Sequence, residues 1–204
     1  DSNKLSEYSP LDLNNANNYF FIDGNFESEK YFIDYRNDLL NEFDIKNKDQ
    51  FSDNKYLDII KKYNVVSICV RQNRFSERVN NKFSSENLNK SLLFVKETIN
   101  YINKAIEYFN KRIDNPKYLI WSNDFDNLDK YFDTKKFIFV MNSEDKVLTD
   151  FFLLTQCRYF IVGPSTFHWW GAWLSNFDDK ICVRPNNLNP SNNKDFWPEK
   201  WTII

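Results

Sequence analysis

The chain has 204 residues, a formal net charge of −2 at pH 7, 42% hydrophobic residues and 18% aromatic residues. This composition is typical of a globular protein and excludes a disordered chain, while the near balance of charge argues against a general nucleic-acid binder. No apolar run approaches the ~20 residues that a membrane-spanning helix needs, so we expect a soluble chain, with peripheral attachment to a membrane left open.

The chain contains three cysteines, each in or beside an apolar run and none in a C-x-x-C pair: Cys69, Cys157 and Cys182. An odd number of buried thiols indicates a reducing compartment, so we expect a cytoplasmic location, including the periphery of the cytoplasmic membrane. A structural zinc site is not expected, because the chain has a single histidine and widely separated cysteines.

Residues 1–17 are polar and rich in Asn, which predicts an N-terminal arm, and residues 18–204 are predicted to form one α/β domain. The first predicted elements are a strand at 19–22 and helices at 28–43 and 55–63. The run VVSICV at 65–70 is the clearest strand, apolar enough to be buried on both faces of a parallel sheet.

Helical and strand-like patterns then alternate to the end of the chain. The predicted elements are a helix at 88–113, a strand at 118–121, a short helix near Leu128, strands at 137–140 and 159–162 separated by a helix at 145–156, an aromatic helix, and a strand at 181–183. This alternation predicts a Rossmann-like parallel sheet with helices on both faces. The chain has three glycines and neither G-x-G-x-x-G nor a P-loop, which argues against the usual dinucleotide and NTPase sites.

The segment CRYFIVGPSTFHWWGAWL, residues 157–174, is the most informative. Gly163 and Pro164 end a strand, and Ser165 or Thr166 is a suitable N-cap for the aromatic helix. Backbone N–H groups and the positive end of a helix dipole converge at such a turn, so it can bind a phosphate or another anion. The alternative is that Ser165 only caps the helix and the tryptophans only pack.

Ligands of open parallel sheets bind at the carboxyl ends of the strands. Three loops follow predicted strands and define the candidate site: Arg71, then Ser122-Asn123-Asp124, then Ser165-Thr166.

These residues resemble the α-1,2-fucosyltransferases, glycosyltransferase family 11. PSTFHWWGAWL at 164–174 is similar to the family's N-S-S/T-F-S-W-W-x-A-x-L, and VSICVR at 66–71 falls where the family has V-S-V-H-V-R-R-G-D-Y. NFESEKYF at 25–32 and WSND at 121–124 are similar to its Q-S-E-K-Y-F and F-S-N/D-D segments. Four motifs in the right order cover the chain from about residue 19 to its end.

The chain departs from the family pattern in two places. Cys69 stands for the family's His, and Arg74 stands for its acidic residue. The glycine-rich G-G-L-G-N-Q segment does not occur, so we expect an N-terminal half or a partner chain to complete the acceptor side.

The resemblance implies the donor-binding half of a GT-B glycosyltransferase that moves L-fucose, with inversion, from GDP-fucose to a galactose-type hydroxyl of a glycan. Arg71 is then the catalytic cation at the donor diphosphate. The other donor-binding residues implied are Ser122, Asn123, Asp124, Ser165, Thr166, Phe167 and His168. The implied partners are a nucleotide sugar and a glycan, without nucleic acid, and no metal cofactor is expected.

Three alternatives remain open at this point. Asp124-Phe-Asp126 also fits the D-x-D pattern of metal-dependent glycosyltransferases. The departures from the family pattern fit a non-catalytic nucleotide- or carbohydrate-binding module. Asp124, proposed to read the guanine edge, can instead be the N-cap of the next helix, and a general base is not identifiable, His168 being a weak candidate.

Overall fold

The computed structural model describes residues 7–10, 26–76, 85–142, 146–191 and 193–204. The predicted strand at 19–22 and most of the predicted arm at 1–17 lie outside the described residues. Contacts divide the chain into two compact units, one made of 1–44 with 189–200 and the other of 45–188 with 201–204.

The first unit contains short helical turns. Glu29–Tyr31 and Ile33–Tyr35 are 3-10 turns, and α-helix α1 spans Arg36–Glu42. The predicted helix at 28–43 is therefore wrong in its first half. No residue of α1 is buried, and a helix that buries no apolar face lacks the packing that would extend it. Within this unit, hydrogen bonding to Lys30 at 2.7 Å holds the pKa of Asp195 below its usual value.

The second unit is built on six parallel strands in the order β3-β2-β1-β4-β5-β6. The strands are β1 Val65–Val70, β2 Lys117–Ser122, β3 Phe137–Phe139, β4 Tyr159–Ile161, β5 Ile181–Arg184 and β6 Thr202–Ile203. The helices are α2 Lys55–Lys62, α3 Ser85–Asn110, α4 Lys146–Thr155 and α5 Thr166–Leu174, with 3-10 turns at Lys48–Phe51 and Leu128–Lys130. The predicted Rossmann-like parallel sheet is confirmed.

The two faces of β1 bury different side chains, as the alternation of a strand requires. Val66, Ile68 and Val70 join the core formed with α3, where Ile102 and Phe109 are fully buried. The prediction that Leu92 shares this apolar face is wrong, because Leu92 is 59% exposed.

The other face of β1 carries Ser67 and Cys69 toward α5, and α5 packs against α4. Helices therefore cover both faces of the sheet, as predicted. Within the described ranges, no helix combines the length and apolar character needed to cross a membrane.

Gly171 sets the distance between α4 and α5. A Cβ added at Gly171 would lie 2.7 Å from the Cβ of Leu154, closer than carbon atoms pack. We expect Gly171→Ala to lower the free energy of unfolding by roughly 1–3 kcal/mol, because a rigid helix pair must separate. Urea unfolding would measure this. Asn176→Ala, at an exposed position just beyond α5, is the control and should change it by less than about 0.5 kcal/mol; an equal effect of both variants would contradict the close packing.

Candidate active site

The candidate site lies where the strand order reverses. β1 and β4 are neighbours, with Val66 paired to Tyr159 and Ile68 to Ile161. The chain leaves β1 toward β2 on one side of the sheet and leaves β4 toward β5 on the other. Open parallel sheets bind ligands in the crevice at the carboxyl ends of such a strand pair. The residues that follow these two strands, Arg71 and the turn at 163–166, therefore meet at one crevice.

The turn at 163–166 requires glycine at its first position. A Cβ on Gly163 would lie 2.2 Å from the carbonyl oxygen of Cys69, so any side chain there would push β4 away from β1. Ser165 is the N-cap residue of α5, as predicted, but its side chain makes no capping hydrogen bond. The first N–H groups of a helix have no acceptor within the helix, so the turn presents donors and a positive dipole end at the crevice.

His168 fastens this turn from inside. It has 0% exposure, its Nδ1 lies 3.1 Å from the N–H of Gly163, and its Nε2 lies 3.0 Å from Ser67 Oγ. Because Nδ1 accepts a hydrogen bond, the neutral ring carries its proton on Nε2 and donates it to Ser67. Burial lowers the pKa of His168 to about 3. His168 therefore ties β1, the turn and α5 together as a neutral group.

This geometry does not fit the predicted donor contact of His168. Both ring nitrogens are engaged inside the protein and no part of the side chain reaches the surface. A general base must reach the proton that it removes and must be able to hold it near neutral pH. The burial and low pKa of His168 leave it neither property.

Cys69 links Arg71 to the turn. Burial raises the pKa of the Cys69 thiol to about 12, while the Arg71 charge and a hydrogen bond with the Ser165 side chain act in the opposite direction. Arg71 and Ser165 therefore both act on one buried sulfur atom. The structure brings these two predicted donor-binding residues together, and Thr166 lies exposed beside them.

The loops after β1 and β2 are clasped through Asn123 and Gln72. Asn123 Oδ1 accepts a hydrogen bond from Gln72 N at 2.8 Å, and Asn123 Nδ2 donates to Gln72 O at 3.1 Å. The Gln72 side chain donates in turn to the carbonyls of Asp124, at 2.7 Å, and Asp126, at 3.0 Å. The predicted ligand residue Asn123 thus uses its amide to hold the backbone that follows Arg71.

Ser122 and Asp124 take part in the same clasp. Ser122 Oγ donates to Val70 O at 2.9 Å. Asp124 Oδ2 accepts from Asn73 Nδ2 at 3.1 Å, and Asp124 Oδ1 accepts from Asp126 N at 2.9 Å. Asp124 is not the N-cap of the next helical turn, whose N-cap is Asn127. Sequence reasoning missed Gln72 and Asn73, although a left-handed residue such as Asn73, with φ 57°, is often Asn.

The aromatic residues of α5 are mainly core. Trp169 and Trp173 are buried and stacked, with ring centroids 6.0 Å apart, and Trp201 packs against Trp169 at 5.6 Å. Phe167 is half-buried and its ring lies 5.5 Å from that of Phe151. The packing interpretation is therefore confirmed for Trp169 and Trp173.

Arg74 and the D-x-D aspartates show no further cluster of ligand groups. The Arg74 guanidinium lies over the Phe94 ring, 5.5 Å from its centroid. In the part of the chain that the structure describes, no group of three or more His, Cys, Asp or Glu side chains is placed to hold a metal ion.

Fold and site together define a nucleotide-binding type of α/β domain, with an anion-binding crevice at its strand-order reversal. The model of Glycosyl transferase family 11 matches residues 6–204, and the chain belongs to this family. It is therefore a glycosyltransferase by family, with the Rossmann-like fold expected for the GT-B type.

Two curated relatives from Escherichia coli are similar to this chain. An alpha-1,2-colitosyltransferase is 30% identical over 191 residues, which are 89% of this chain and 61% of that protein. The O-antigen biosynthesis glycosyltransferase WbnK is 35% identical over 78 residues, 37% of this chain and 26% of that protein. No solved structure matches. The chain thus spans less than two thirds of the length of either relative.

The buried His168 generates a pH dependence of stability. Its folded pKa of about 3 lies below the usual 6.5, so the unfolded chain binds more protons between these values and the stability is lost as pH falls through that window. We expect the free energy of unfolding to rise between pH 5 and 6.5 with a slope of up to about 1.4 kcal/mol per pH unit from this group. His168→Gln should remove that part of the slope, measured by urea unfolding at each pH.

Ser175→Ala is the matched control for this prediction. Ser175 Oγ donates a buried hydrogen bond of 2.6 Å to Cys157 O at the other end of α5. Its loss should lower stability equally at every pH and leave the slope unchanged. A slope that survives in His168→Gln would show that another group titrates.

Proposed function

We propose that this chain binds GDP-fucose and transfers L-fucose, with inversion, to a galactose-type hydroxyl of a glycan. The observation that carries the proposal is the adjacency of β1 and β4 in a family 11 chain, which brings Arg71 and the Ser165 turn to one crevice. A cation and a helix N-terminus at the same place suit a diphosphate.

The proposed chemistry follows from the charge that develops during transfer. As the bond between the sugar and the diphosphate breaks, negative charge grows on the leaving group and the sugar becomes oxocarbenium-like. Fixed positive groups at the diphosphate lower the barrier, because they bind the transition state more strongly than the ground state. The planar fork of Arg71 suits bidentate contact with phosphate oxygens. Ser165, Thr166 and the first N–H groups of α5, next to Phe167, would hold the same diphosphate.

The loop after β2 is proposed to contact the base. Asp124 already accepts hydrogen bonds from Asn73 and Asp126, but a carboxylate has about four acceptor sites. It can therefore also accept from the N1–H and N2–H groups of guanine. Ser122 and Asn123 are proposed to act indirectly, by holding the loop that carries Arg71.

The acceptor and the general base are proposed to be supplied from outside the chain described here. The chain spans 61% of the colitosyltransferase that it matches, and His168 is too buried to serve as base. We therefore propose that an N-terminal half or a partner chain completes the acceptor side.

A second donor sugar has a specific observation in its favour. The relative that aligns with 89% of this chain is named for the transfer of colitose. A donor screen should therefore compare the GDP derivatives of fucose and colitose.

The compartment is proposed from the cysteines. All three are free thiols and buried, which suits a reducing environment. We propose a cytoplasmic location, including the periphery of the cytoplasmic membrane.

Arg71→Ala tests the donor site. We expect the affinity for GDP, measured by calorimetric titration with EDTA present, to fall about tenfold or more, because one charge-assisted contact is worth about 1.5–3 kcal/mol. Ser165→Ala should have a smaller effect. Arg112→Ala removes an exposed arginine that lies over the Tyr108 ring at 3.8 Å and is the matched control, expected to leave GDP affinity unchanged.

The same titration separates the alternatives. Selective binding of GDP over UDP and ADP without metal supports the proposal, whereas binding that EDTA abolishes would favour the D-x-D type. GDP binding without transfer, once an N-terminal half is supplied, would indicate a non-catalytic module. Unchanged GDP affinity in Arg71→Ala would contradict the role of Arg71.

A further inference from the structure

A second cleft lies at the opposite edge of the sheet. Its volume is about 330 Å³, and it opens between the end of α2, the start of β1, the start of β4 and Phe177. It is lined by Ile60, Lys61, Lys62, Tyr63, Asn64, Val65, Gln156, Arg158, Tyr159 and Phe177. Because β1 has six residues, about 20 Å separates this edge from the donor crevice. We call it the basal cleft.

The charged residues of the basal cleft are all positive. Lys61, Lys62 and Arg158 line it, and the described lining contains no acidic side chain. Lys117 adds a fourth cation at the margin, with Nζ 5.7 Å from the Tyr63 ring centroid. The chain as a whole has a net charge of −2, so this concentration of positive charge is a local feature.

Structural roles account for only part of this charge. Lys61 and Lys62 lie in the last turn of α2, where cations offset the negative end of the helix dipole, and α4 also ends nearby. Two helix termini amount to about one negative charge, against three full positive charges. Arg158 pairs with Asp179 at 3.2 Å, but this pair is 42% and 62% exposed, and such pairs are weak and exchangeable.

We propose that the basal cleft binds a phosphate group, either of a small phosphate ester or of an anionic lipid headgroup. Arg158 offers a planar fork for two phosphate oxygens, and the lysines add point charges from a different element. Tyr63, Tyr159 and Phe177 form apolar walls that suit the carbon skeleton attached to the phosphate. The site is separate from the donor crevice, so the inference does not rest on the proposed transferase chemistry.

A site-resolved titration tests this inference. The ¹⁵N-labelled chain is titrated with inorganic phosphate at constant ionic strength, and the backbone amides of Asn64 and Gln156 report on the basal cleft while that of Thr166 reports on the donor crevice. We expect saturable shifts of Asn64 and Gln156. Cosedimentation with vesicles of phosphatidylglycerol, compared with phosphatidylcholine, tells a lipid source from a small ester.

The variant Lys61→Ala/Lys62→Ala/Arg158→Ala should weaken phosphate binding at Asn64 and Gln156 at least tenfold. Lys96→Ala/Lys111→Ala/Lys135→Ala removes three exposed cations elsewhere and is the charge-matched control, expected to change it less than twofold. GDP affinity should be unchanged in both, which shows that the fold is intact. Absence of saturable shifts in the wild type, or equal losses in the two triple variants, would overturn the proposal.

Discussion

The contact on which the site depends is the approach of Gly163 to the carbonyl of Cys69. Where β4 ends, the backbone comes so close to β1 that a Cβ would overlap this oxygen. The N–H of Gly163 is turned inward to His168, which is itself held by Ser67 on β1. Strand pairing, the turn and the start of α5 are thus fixed by a few buried groups. The crevice formed there is rigid on its β4 side because its backbone is anchored in the core.

The opposite wall of the crevice depends on polar loop contacts. Gln72 and Asn123 exchange hydrogen bonds across the loops after β1 and β2, and Asn73 adds a contact to Asp124. Arg71 therefore leaves β1 on a backbone that is supported from both neighbouring strands. The resemblance to family 11 places histidine where this chain has Cys69 and serine where it has His168. Both positions lie beside Gly163 in the structure, so the chain supports the same junction with a different arrangement of polar groups.

Much of this could be predicted from sequence, and the remainder depends on tertiary contacts. The run VVSICV predicts β1 because a strand buried on both faces is apolar throughout, and Gly-Pro marks the end of β4. β6 escapes prediction because it has two residues, both exposed. The positions of Arg71 and Ser165 follow from the rule that ligands bind at the carboxyl ends of parallel strands. The Gln72–Asn123 clasp could not be predicted, because loop hydrogen bonds depend on the register of two strands. His168 left a signal: Ser67 is a polar residue in a buried strand and needs a buried partner.

The buried thiol of Cys69 makes the crevice accessible to chemical measurement. With a pKa near 12 and little exposure, the thiol is nearly inert toward alkylating reagents in the folded chain. It can react only when β1 and the turn after β4 separate, so its rate of alkylation reports how often this junction opens. A ligand bound to Arg71 and Ser165 holds the two sides together and would slow that reaction. The residue that departs from the family's histidine is therefore a built-in probe of the local dynamics of the site.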